Sequence, residues 1–116
     1  CIVDGGINHV NYYGSMIGMN VPVTQHITEV GVEAKDWCIC GSLCSTNDIL
    51  IRKYHKGLSE GDLIAFENIG AYSVTEGINL FLSRTLPCVL LRKNKYDYEV
   101  QRGHVESYVL NMPGGM

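Results

Sequence analysis

A thiol and a phenol stand out among the side chains that could do chemistry. Cys44 ends the run Cys40-Gly-Ser-Leu-Cys44 and is followed by Ser45-Thr-Asn-Asp48. A thiol with a reference pKa of ~8.5 is a usable proton donor near neutral pH. Tyr72 follows Gly70-Ala71, residues small enough for a ligand to approach the backbone. A phenolic hydroxyl there can donate to a phosphate oxygen while its ring packs beside the ligand. Asn47-Asp48 is good turn chemistry. By themselves these residues also fit a packed structural thiol, a core tyrosine and a turn cap.

Other chemistry is poorly supported. The five cysteines are Cys1, Cys38, Cys40, Cys44 and Cys88, an odd number suited to reduced thiols of the cytosol. Cys38-x-Cys40-x3-Cys44 lacks the paired ligand spacing of zinc sites. Cys38 and Cys40 share a face if their segment is a strand, and buried strand cysteines are the expectation. The four histidines, His9, His26, His55 and His104, have no ligand spacing and read as solvated or locally hydrogen-bonded. Glu29, Glu33 and Asp36 read as a solvated acidic face. Phosphate-loop, serine-hydrolase and zinc-protease motifs are missing.

The elements that must position these residues are short. The chain has 116 residues, 46% of them hydrophobic and 18% charged, which is one ordinary globular domain over 1–116. Thirteen glycines and short apolar runs favour strands and turns. Strands are expected at Ile2-Val3, Met16 to Val23, Gln25 to Val32, Trp37 to Cys40, and from Ile49 toward Lys56. More follow at Asp62 to Glu67 and Val89 to Arg92. Lys93-Asn-Lys95 reads as a hairpin tip, with Tyr96 to Arg102 returning and Tyr96, Tyr98 and Val100 on one face. A short helix within Thr75 to Leu82, capped by Ser73 or Thr75, and another over Glu106 to Leu110 complete the pattern. This is an all-β sandwich or barrel. The net charge of −3 without a basic run argues against nucleic acid, and no apolar run has the ~20 residues of a membrane span. The chain opens on a strand rather than a signal peptide, and both ends read as cut sites.

Four motifs in order carry a resemblance: Ile2-Val-Asp-Gly-Gly-Ile-Asn-His9, Cys40 through Asp48, Gly61-Asp62 with Gly70-Ala-Tyr72, and Phe81 to Pro87. Together they resemble the C-terminal β-domain of the fold-type-III pyridoxal-phosphate decarboxylases, the group of diaminopimelate and ornithine decarboxylases. The resemblance implies a partial Greek-key-type β-barrel with a short helical insertion. It would be the second domain of an alanine-racemase-like two-domain enzyme. It also implies pyridoxal 5'-phosphate, bound mainly by an α/β barrel whose lysine and phosphate loop are not recognisable here. The chain alone is therefore expected to be inactive and to expose an unfinished sheet edge.

The site roles follow from the same resemblance. Cys44 would protonate Cα after CO2 leaves, acting in the partner subunit's active site of a cytoplasmic homodimer. Tyr72 would hold the cofactor phosphate, and Asp48 would support the subunit interface. Relatives acting on basic substrates have an acidic residue where Ser45 stands, so Ser45 implies an amino-acid or carrier-linked substrate with a neutral far end. Leu82 replaces a common asparagine, and Ser42 a proline. An amino-acid racemase domain and a free-standing β-barrel binding module are the alternatives.

Overall fold

The computed structural model describes residues 1–11, 21–28 and 31–114. Among the described residues six strands pair as three antiparallel ladders. β1 (Val23–His26) pairs with β4 (Ile64–Glu67), β2 (Lys35–Cys40) with β3 (Ile49–Lys56), and β5 (Val89–Arg92) with β6 (Tyr98–Arg102). A single-turn helix, α1 (Tyr108–Asn111), lies near the end. The expectation of a mostly β chain holds. A closed barrel is not formed among the described residues.

The β2–β3 ladder carries the core. Ile39, Leu50, Ile51, Tyr54 and Leu58 are buried together, with Val3, Ile7, Val10, Trp37, Ile64 and Phe66 packed on them. Segment 1–3 runs alongside β2: Val3 donates to the Cys40 carbonyl and Cys40 to that of Cys1, so this segment is parallel to β2 at the Ile2–Cys40 bridge. β1 and β4 are held by a buried pair across the ladder, His26 Nε2 to Asp62 Oδ2 at 2.9 Å. Beside it lies a groove of about 630 Å³ lined by residues including Ile2, Val3, Trp37, Leu58, Asp62 and Ile64. The Trp37 indole donates to the Lys56 carbonyl, and the Lys35 ammonium lies over its ring at 4.4 Å.

Several sequence expectations are refined. The strand expected from Gln25 to Val32 sits earlier, at Val23–His26. That expected over Met16 to Val23 lies mostly outside the described residues. The helix expected within Thr75 to Leu82 is instead two 3-10 turns, Ala71–Val74 and Phe81–Ser83. The hairpin at Lys93-Asn-Lys95 is present, closed by the Lys93 N–H to the Asp97 carbonyl at 2.9 Å. Tyr96, Tyr98 and Val100 are exposed, because nothing in the described chain covers that face of the β5–β6 ladder. Cys38 and Cys40 do share a face, with sulfurs 3.7 Å apart. They are not buried, however: Cys38 is exposed and Cys40 half-buried, since too little among the described residues covers that side of the β2–β3 ladder.

Candidate active site

Loop 41–48 presents the thiol. Its geometry is set from inside by Asp48, whose side chain is buried at 2% exposure. Asp48 Oδ2 accepts the Leu43 N–H at 2.8 Å and Oδ1 accepts that of Ile7 at 2.9 Å. The loop is closed by the Gly41 N–H on the Asp48 carbonyl and the Asp48 N–H on that of Ser45. Such a carboxylate satisfies donors that burial would otherwise leave costly. Glycine is required around it: a Cβ on Gly41 would come within 2.2 Å of the carboxylate and one on Gly6 within 2.6 Å. Both carboxylate oxygens thus face donors of the same chain. Cys44, next to Leu43, is exposed at the loop tip, and Ser45 is half-buried behind it.

Tyr72 stands in the 3-10 turn Ala71–Val74, entered by Gly70 at φ 80°, a left-handed conformation suited to glycine. It is 73% exposed and its hydroxyl has no partner among the described residues. The buried Ser73 beside it shares its one hydroxyl proton between the carbonyls of Asn11 and Ile69, each 3.1 Å from Oγ. A buried tyrosine was one sequence alternative, and the exposure excludes it within this chain.

The thiol loop and the tyrosine turn hang from one segment. Ser42 Oγ donates to the Asp4 carbonyl at 3.0 Å, Asp48 holds Ile7, and Ser73 holds Asn11. Ile7 and Asn11 are four residues apart, at most about 14 Å even if extended. Turns from His9 and Val10 back to the Gly6 carbonyl shorten that span. The thiol loop and the tyrosine turn are therefore both anchored to segment 4–11, while the large groove at Trp37 has neither Cys44 nor Tyr72 in its lining.

A third element, within the Phe81 to Pro87 motif, reaches the loop through a residue the sequence reading did not name. Arg84 donates through Nη2 to the Ser42 carbonyl at 2.7 Å. It follows Leu82 and Ser83, both left-handed at φ 60° and 51°. Such backbone costs a non-glycine residue roughly 1 kcal/mol. The strain is held by Asn111, whose amide donates to the Leu80 carbonyl and Ser83 Oγ, and by the fully buried Ser107, whose hydroxyl donates to the Arg84 carbonyl at 2.5 Å. Asparagine tolerates the left-handed region better than leucine. That is the physical reason asparagine suits position 82, and it was the available signal for a special backbone here.

Among the described residues no three metal-ligating side chains converge. No helix is long and apolar enough to cross a membrane. His55 pairs with Asp36 at 2.7 Å and His104 with Glu106 at 2.6 Å, both on the surface.

The mostly β fold is the feature that comparison with known proteins places in a class. A diaminopimelate decarboxylase structure superposes over 94% of this chain and 28% of its own, with a TM-score of 0.75 and 18% identity. One from Helicobacter pylori, complexed with L-lysine, has a TM-score of 0.65 and 25% identity over 94% of this chain and 26% of its own. One from M. jannaschi has a TM-score of 0.69 and 22% identity over 94% and 24%. The chain thus spans about a quarter of these proteins. No curated protein sequence matches it. The family model of the pyridoxal-dependent decarboxylase C-terminal sheet domain matches residues 1–70, and the chain belongs to that family.

Proposed function

We propose that this chain is the C-terminal part, over 1–116, of a pyridoxal-phosphate-dependent amino-acid decarboxylase that works as a cytoplasmic homodimer. The three ladders are read as pieces of a Greek-key-type barrel completed by the remainder of a two-domain enzyme. The observation that carries the reading is the shared anchoring of Cys44 and Tyr72 to segment 4–11. The residues present fit the cofactor: an exposed phenol with no partner among the described residues suits a phosphate oxygen, and an exposed thiol is open to a substrate. Bound pyridoxal phosphate supplies the electron sink that lets CO2 leave. Tyr72 grips the phosphate through its hydroxyl. Cys44 delivers the proton to Cα, its position fixed by the loop that Asp48 holds. Ser45 gives the substrate's far end a neutral neighbour. Asp48 supports the subunit interface indirectly, by shaping the loop that enters it.

The test is Cys44→Ala in the full-length enzyme. The expected result is a fall in turnover of about 10²-fold, the usual scale for a lost general acid, with cofactor binding kept and part of the product protonated at the wrong atom. Unchanged turnover and product would remove Cys44 from the reaction. The chain alone should not decarboxylate amino acids.

A further inference from the structure

We propose that Cys38 and Cys40 are a reversible redox pair, which a low-molecular-weight disulfide such as glutathione disulfide closes into a disulfide within β2. The pair lies outside the chemistry given to Cys44 and does not depend on it. The two sulfurs are 3.7 Å apart on one face of the strand. Cys38 is exposed and Cys40 half-buried, so an oxidant reaches the outer sulfur with the second directly beside it. Cys1, Cys44 and Cys88 are exposed too, yet none of them contacts another sulfur among the described residues. Exposure is common to the thiols, and proximity singles out this pair.

The backbone permits the closure. Two residues of regular strand span about 6.7 Å, at the upper end of the Cα separations that a disulfide bridges. β2 is not regular here: its register on β3 shifts between Trp37 and Ile39 and again between Ile39 and Cys40. A bulge bends its strand, and the bend shortens that span. The Cys40 backbone is held meanwhile, its N–H on the Cys1 carbonyl and its carbonyl on the Val3 N–H. The sulfurs therefore meet by side-chain rotation, without moving the strand.

The electrons balance over two exchanges. Partial burial pushes the Cys40 thiol pKa up, which leaves the first attack to Cys38. The Cys38 thiolate attacks one sulfur of glutathione disulfide. A bond from Cys38 to glutathione forms, the reagent's S–S bond breaks, and the departing thiolate takes up the proton that Cys38 gave to solvent. Cys40 then loses its proton and attacks the Cys38 sulfur, expelling the second glutathione as a thiolate that is protonated in turn. Two protein thiols are oxidised, and one small disulfide is reduced to two thiols. A bond formed at an exposed site belongs to the labile class of disulfides, so excess thiol reopens it.

The test uses the reduced full-length protein, treated with glutathione disulfide and then blocked with iodoacetamide. Fragment-ion mass spectrometry of the unreduced peptides places each bond. The expected result is an internal bond between Cys38 and Cys40, with Cys44 and Cys88 left as alkylated thiols or mixed disulfides. Dithiothreitol should return both sulfurs to the alkylatable form. Cys40→Ser should retain about tenfold more glutathione on Cys38 than wild type, because the missing sulfur acts at an effective concentration of millimolar order. Equal retention in the two proteins, a bond from either sulfur to Cys44, or no reaction at either sulfur overturns the proposal. Where Cys40→Ser folds poorly, the wild-type bond pattern decides alone.

Discussion

The Asp48 carboxylate holds the backbone N–H of Leu43, the residue immediately before Cys44, at 2.8 Å. The same carboxylate holds Ile7, so one buried charge joins the entering segment to the thiol loop. Asp48→Asn keeps the shape but turns an NH2 toward a donor. It should cost about 2 kcal/mol, the scale of a broken charge-assisted bond in a buried site. Urea denaturation of the full-length protein measures this. A loss below about 0.5 kcal/mol, within the range of ordinary surface substitutions, would show that the carboxylate does not organise the loop.

Gly57 makes a comparable demand on space. A Cβ there would lie 2.1 Å from the Val32 carbonyl oxygen, which belongs to backbone and cannot swing away. Gly57→Ala should destabilise by about 2 kcal/mol, in the range of overpacked sites. The melting temperature should fall accordingly, whereas Gly31→Ala, with open space around it, should leave it nearly unchanged.

Asp62 supplies an acid-side dependence. The Ser59 N–H bonded to its carboxylate is the main cause holding its pKa below the usual 3.8, and His26 adds to it against the opposing effect of burial. The depressed value means the unfolded chain takes up this proton first as the pH falls. The contribution to stability is thus present above about pH 4 and is lost as the pH drops through the lowered value. Denaturation from pH 7 to 3 should show wild type losing its advantage over Asp62→Asn across that acid range. A constant gap would refute the linkage.

The Cys38–Cys40 pair predicts unequal thiols. Partial burial, followed by the neighbouring Cys38, pushes the Cys40 thiol pKa up. Cys40 should therefore alkylate more slowly than exposed Cys44 at pH 8, where thiolate fraction governs the rate. Mass spectrometry of iodoacetamide time courses decides, and faster labelling of Cys40 would contradict the structure.

How much was legible depended on whether the signal was local. The β5–β6 hairpin was readable because tip and alternation lie within fourteen residues, Val89 to Arg102. β1 was misplaced because its partner, β4, lies some forty residues away and fixes the register: Val23 opposite Glu67, His26 opposite Ile64. Cys44 and Tyr72 were singled out through motif order, yet nothing in the sequence says that Asp48 and Ser73 tie the loop and the turn that carry them to one segment. The Arg84 contact was not foreseen because its sequence neighbours give no sign of a bond across forty-two residues to Ser42. The turn-cap reading of Asp48 found the right chemistry, but only the fold shows that it reaches Ile7 as well.

The groove beside β2 has a convenient property. Trp37 is the sole tryptophan of the chain and lines that groove near Cys1 and Ile2, where the strand parallel to β2 begins. Indole emission shifts with the polarity of its surroundings. Selective excitation of the indole over the seven tyrosines would therefore turn this domain into an optical gauge of whatever comes to fill that cleft, without any attached dye.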